Sequence, residues 1–205
     1  DSYMYQTVGA EGIELLAAAM EVPLYRRAIT GTPILQTNDY EETKGDEVED
    51  LAELLKEIKL AHPEVKGVSA GAILSSYQTR RVESICDRLG LTPVCCLWQR
   101  EQKGLLREMI ESGMDAILIK VAAVGLQPSM LGKTIREAEP LLLQLQEKYD
   151  VHPCGEGGEF ESFVIDSPLM KRRIRVVEYE VVMHQVDDVA PVAYLRLKKL
   201  ELADK

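Results

Sequence analysis

Up to Val121 the chain alternates between apolar stripes at helical spacing and short runs that are apolar throughout. Ile13, Leu16, Ala17 and Met20 form the first stripe, and Val22-Pro23 ends it before Leu24 to Ile29, an expected short strand. Val48, Leu51, Leu55 and Ile58 form the second, with Asp46 as N-cap, Glu49 three positions on and a stop near His62-Pro63; Val68 to Leu74 follows. Val82, Ile85, Cys86 and Leu89, closed by Gly90, lead to Pro93 to Leu97, and Leu105, Leu106, Met109 and Ile110, closed by Gly113, lead to Ala116 to Val121. Helices alternating with strands that show no polar face predict an α/β fold with a doubly wound parallel sheet, ligands lying at the carboxyl ends of its strands. After Val151 a glycine-rich turn and three runs at hairpin spacing, Ser162 to Ile165, Arg173 to Met183 and Val192 to Leu200, predict a smaller α+β domain. The expected division falls into domains 1–98 and 99–205.

Apolar residues at 46% and charged residues at 28% supply an ordinary core, and disorder or a disulfide-stapled miniprotein is not expected. No apolar stretch approaches the roughly 18–20 residues of a membrane helix, which predicts a cytoplasmic protein with no membrane partner. With 24 Lys plus Arg against 34 Asp plus Glu the net charge is −10, a balance that disfavours direct nucleic-acid binding. Cys86, Cys95, Cys96 and Cys154 form no C-x-x-C pair, so reduced thiols and no metal centre are expected.

Two constellations stand out. In Cys154-Gly155-Glu156-Gly157-Gly158-Glu159-Phe160-Glu161-Ser162 the glycines free the backbone, the carboxylates offer charge or a general base, and Phe160 offers a ring to a quaternary ammonium. A solvated turn has equal weight. In Gly71-Ala72-Ile73-Leu74-Ser75-Ser76-Tyr77-Gln78, followed by Arg80, Arg81 and Glu83, a strand end turns into a helix N-terminus suited to phosphates, with close backbone approach expected at Gly71; a capped helix with paired arginines is the plainer reading. Trp98 beside Arg100 lines a pocket, or Trp98 is core. His152 and Cys154 suggest a thiol nucleophile only weakly. Residues 30–45 lack periodicity and read as a mobile lid, the acids from Asp39 to Asp50 as its solvated face, and Lys171, Arg172, Arg173 and Arg175 as a solvated basic edge.

The blocks SYMYQTVG (Ser2 to Gly9), PLYRR (Pro23 to Arg27), GDEVEDL (Gly45 to Leu51), GAILSSYQTRRVE (Gly71 to Glu83), LWQR (Leu97 to Arg100), GEGGEFES (Gly155 to Ser162) and APVAYLR (Ala190 to Arg196) together resemble the diphthine-ammonia ligase family, a branch of the PP-loop ATP pyrophosphatases. The resemblance spans nearly the whole chain. It implies ATP-dependent amidation of diphthine on elongation factor 2 with ammonia, releasing AMP and pyrophosphate, with Mg²⁺ accompanying ATP. It implies Gly71, Ala72, Ile73, Ser75, Tyr77 and Arg80 as nucleotide wall, and Glu156, Glu159 and Glu161 as catalytic carboxylates or holders of diphthine's trimethylammonium. Gly155, Gly157, Gly158, Phe160, Ser162, Trp98 and Arg100 are the implied substrate-binding residues. The family's SGGKDS-type PP-loop is expected ahead of Ser2; the one glycine pair here, Gly157-Gly158, continues Glu-Phe-Glu. The alternative is a non-catalytic form that binds elongation factor 2 without ATP turnover, and a thiol hydrolase built on Cys154 is the third reading.

Overall fold

The computed structural model describes residues 2–205. In chain order its elements are α1 (Ile13–Met20), α2 (Glu47–Ala61), β1 (Gly67–Ser69), α3 (Ser76–Leu89), β2 (Thr92–Val94), α4 (Gln102–Glu111), β3 (Asp115–Val121), α5 (Ile135–Tyr149), β4 (Phe160–Asp166), β5 (Arg173–Gln185) and β6 (Val192–Ala203). They form a mixed α/β protein with one parallel and one antiparallel sheet. Two compact units result, one of residues 2–5 with Tyr25–Arg100, the other of Gln6–Leu24 with Glu101–Lys205.

In the first unit β1 and β2 pair in parallel, Gly67 opposite Thr92 and Ser69 opposite Val94, with α3 as the crossover. The Asp46 carboxylate caps α2 by accepting from Val48 N at 3.0 Å, and Gly90 closes α3 in the left-handed region at φ 62°. Val48, Ala52 and Leu55 of α2 pack against Val82, Ile85 and Cys86 of α3. Close backbone approach occurs at Gly67, where a Cβ would lie 2.9 Å from Thr92 O; at Gly71, where it was expected, a Cβ would meet nothing within 4 Å. Leu24 to Ile29 does not become a strand, and Leu24, Tyr25 and Ile29 stay exposed.

Residues 30–45 are tied down rather than free. Asp50 Oδ2 accepts from Thr30 N at 2.7 Å and Gly31 N at 2.8 Å, and Asp46 Oδ2 accepts from Ile34 N at 2.9 Å and Leu35 N at 3.1 Å. Arg81, fully buried, donates to Leu35 O, Thr37 O and Tyr77 O, and its guanidinium lies 3.2 Å from the Tyr77 ring centroid and 4.9 Å from that of Tyr40. Asp46 and Glu47, read from sequence as part of a solvated acidic run, are 1% and 2% exposed.

The second unit carries an antiparallel sheet in the order β4-β3-β6-β5. Ala116, Leu118 and Val121 of β3 pack with Leu106 and Ile110 of α4 and Ile135, Ala138, Leu142 and Leu145 of α5. Ile117 and Ile119 point to the other face of β3 and belong to a second cluster with Phe163, Leu195 and Leu197, which Leu16, Ala19 and Met20 of α1 join. An unbroken apolar run therefore reports burial on both faces here, not parallel pairing. The same packing places Gln6–Leu24 in the second unit. α5, not anticipated from sequence, starts at a capping box in which Thr134 and Glu137 bond reciprocally.

Candidate functional site

The glycine-rich segment leads into β4 and is built around Glu159. Its Oε1 accepts from His152 N at 3.0 Å and its Oε2 from Gly157 N at 2.7 Å, so both oxygens are engaged in holding the loop. Gly155 has φ 75° and a Cβ there would meet Phe160 O at 2.6 Å; Gly158 has φ 82° with open space around it. These two positions need glycine for backbone reasons. Phe160 is 4% exposed and lies in the core with Val121 and Ala193, so the ring expected to stack on a cation is not presented to a ligand. Glu161 Oε1 accepts from Lys120 Nζ at 2.6 Å, while Glu161 Oε2 is buried with no hydrogen-bond partner among the described residues. Ser162 O accepts from Gln6 Nε2 at 3.4 Å. Nothing local in the sequence marks Lys120, which sits inside the apolar run of β3.

The thiol reading is overturned. Burial, with Glu156 and Glu101 nearby, pushes the Cys154 thiol up to about 11, so it is protonated at neutral pH, and its Sγ lies 3.6 Å from Gln102 O. His152 does not reach the thiol: its Nδ1 accepts from Cys154 N at 3.1 Å, which puts the ring proton on Nε2. Burial holds the His152 ring below its usual range.

At the carboxyl end of β1, Gly71 is exposed while Ala72 and Ile73 are buried at 4% and 3%, leaving backbone rather than side chain to face a ligand there. Ser75 caps α3, its Oγ accepting from Gln78 N at 3.3 Å. The segment after β2 folds onto this end, Gln99 N donating to Ile73 O at 2.7 Å from a left-handed backbone with φ 58°. Two expected nucleotide contacts are otherwise occupied. Tyr77 has Arg81 on its ring and points its hydroxyl at Leu35 O, 3.4 Å away, and Arg80 is exposed and pairs with Glu83 at 3.3 Å. Trp98 is half-buried and belongs to no core cluster, and Arg100 is exposed.

A Cβ at Gly71 would meet open space, and the N-terminus of α3 beside it is capped by Ser75. Among the described residues no group of three or more His, Cys, Asp or Glu side chains is placed to hold a metal ion, so no residue is assigned to Mg²⁺. Among the described residues no helix is long and apolar enough to cross a membrane.

Residues 1–93 match the diphthamide synthase N-terminal domain and residues 101–199 the diphthamide synthase C-terminal domain. Over 206 residues, covering 100% of this chain and 77% of the relative, the chain is 58% identical to the diphthine–ammonia ligase of Mus musculus and 56% identical to that of Homo sapiens. The diphthine–ammonia ligase of Schizosaccharomyces pombe is 50% identical over 198 residues, which are 97% of this chain and 32% of that longer protein.

Proposed function

This chain belongs to the diphthamide synthase family, and on that premise we propose that it performs the ATP-dependent amidation of diphthine in diphthamide biosynthesis. The observation that carries the reading is the 58% identity to a diphthine–ammonia ligase along the full chain, with both family domains matched in order. The diphthine carboxylate attacks the α-phosphorus of ATP and pyrophosphate leaves; ammonia then attacks the acyl carbon and AMP leaves. The substrate protein is elongation factor 2 and the nucleophile free ammonia. The setting is the cytoplasm, in keeping with Cys86, Cys95, Cys96 and Cys154 all being free thiols. Mg²⁺, if carried on ATP, neutralises phosphate charge.

The backbone from Gly71 to Ser75 forms the nucleotide wall, supported by the open space at Gly71 and by the α3 N-terminus. Tyr77 and Arg80 support that wall from outside it. Glu156 and Glu161 face the substrate's cation, and either takes the proton that ammonium must lose. Glu159 is the positioning residue of the loop, since both of its oxygens hold backbone N–H groups. Gly155, Gly157 and Gly158 shape the loop.

The test is to incubate the full-length protein with diphthine-bearing elongation factor 2, ATP, Mg²⁺ and ammonium. The expected result is amide on the modified histidine by peptide mass spectrometry and one AMP per amide. ATP consumption without amide, or neither, overturns the reading.

A further inference from the structure

Phe160, Val121 and Ala193 stand side by side across β4, β3 and β6, and all are buried in one core. The neighbouring register row is Glu161, Lys120 and Tyr194. Residues adjacent along a strand point to opposite faces and register partners to the same face. The second row therefore stands together on the face turned away from that core, an acid, a base and an aromatic ring in line.

Within the row Lys120 Nζ meets Glu161 Oε1 at 2.6 Å, with side chains 27% and 15% exposed. Glu161 Oε2 is buried and has no hydrogen-bond partner among the described residues. As a device for stability this is poor, because desolvation of a half-buried pair offsets its Coulomb attraction and an unpaired buried oxygen adds a further cost. A ligand carrying both charges removes that cost. Lys120 repels a lone cation and Glu161 a lone anion, but a zwitterion aligned head to tail satisfies both.

We propose that Glu161, Lys120 and Tyr194 form a recognition site for a zwitterion that carries a carboxylate and a quaternary ammonium, the side-chain chemistry of diphthine; this rests on the amidation proposed above. Lys120 directs N–H donors other than the one given to Glu161 at the carboxylate. The quaternary ammonium has no N–H, so it suits an oxygen left without a hydrogen-bond donor and the face of an aromatic ring, which Tyr194 supplies in place of the buried Phe160. Amidation deletes the charge that Lys120 recognises, so substrate binds more tightly than product.

The charge swap, Lys120→Glu with Glu161→Lys, separates recognition from simple pairing because it keeps an ion pair and reverses its polarity. In the full-length protein we measure the affinity for diphthine-bearing elongation factor 2 without ATP, the KM for amidation, ATP affinity and the thermal melt. The expected result is a parental melt and ATP affinity with substrate affinity weakened about 10- to 100-fold. Tyr194→Leu removes the ring and weakens it several-fold. If the swapped protein does not fold, Lys120→Met against Lys120→Arg decides: weakened in the first and restored in the second supports the site, and parental affinity in Lys120→Met overturns it. A folded swap variant with parental affinity and KM also overturns it. Parental enzyme that forms no amide overturns the reaction itself, which is a different outcome from an active enzyme indifferent to the swap.

Discussion

Replacing Glu159 removes the loop's central acceptor, and the structure sets how much should be lost. Two backbone donors, His152 N and Gly157 N, end on its two oxygens at 3.0 and 2.7 Å. Hydrogen bonds to a charged group contribute about 1.5–3 kcal/mol each, and the lower end applies at a half-exposed loop, so Glu159→Ala should cost the loop about 2–4 kcal/mol. Glu159→Gln keeps one acceptor and turns an NH₂ on the second donor, for about 1–2 kcal/mol. Native-state hydrogen exchange reads this directly. The amides of His152 and Gly157 should exchange roughly 30-fold faster or more in the Ala variant, since each 1.4 kcal/mol is tenfold. Ala122 N donates to the backbone oxygen of Glu159 at 2.8 Å, a bond that the substitution spares. Its amide is therefore the internal control and should keep its protection, and amidation should fall with the loop while ATP binding holds. Unchanged exchange at His152 and Gly157 in Glu159→Ala would refute the reasoning, and equal loss at Ala122 would mean the strand, not the loop, depends on the carboxylate.

Burial depresses the His152 pKa below 6.5, against a smaller opposing pull from Glu159, Glu156 and Asp150. The unfolded chain then binds a proton that the folded ring refuses, so its contribution is complete above pH 6.5 and is lost as pH falls through the lower folded value. Urea titrations between pH 7.5 and 5 should show a steeper decline for the parent than for His152→Gln, and parallel curves would contradict this. Gly67→Ala should cost about 1–3 kcal/mol because its Cβ meets backbone, whereas Gly71→Ala should lie within about 0.5 kcal/mol of the parent, both read from thermal melts. Gly71→Val should melt like the parent yet bind ATP more weakly by calorimetry; undiminished binding would move the nucleotide elsewhere. Arg81→Met removes the donors to Leu35 O, Thr37 O and Tyr77 O and should cost about 2–4 kcal/mol, with new proteolytic cuts at 36–44; a parental digestion pattern would show that the loop is held without it.

The elements legible in the sequence were those with local determinants. Asp46 as a cap, Gly90 as a left-handed stop and the apolar stripe of α2 act within one or two turns, and the structure places all three as read. The three late strands also lie where alternation and turn residues put them, lengthened at their ends to Phe160–Asp166, Arg173–Gln185 and Val192–Ala203. α5 is equally local, its signal being the Thr134 and Glu137 box within its first turn. Leu24 to Ile29 failed as a strand because a strand needs a partner as well as a composition, and none of the described residues pairs with it.

Local patterns along the chain thus carry most of the helices, the late strands, an α/β class and, through short blocks, the family. The job of each side chain is settled only in the folded molecule. Glu159 and Glu161 are two residues apart and look alike in sequence, yet one ends on two backbone amides and the other on Lys120, forty-one positions away. Phe160 beside them turns to the core because alternation along β4 meets Val121 and Ala193 on that face. Arg80 and Arg81 divide likewise, one exposed with Glu83 and one buried between tyrosines. A local pattern fixes backbone state because its causes lie within a few residues; a carboxylate's partner is set by whichever distant strand is brought beside it, and that information exists only in the folded chain.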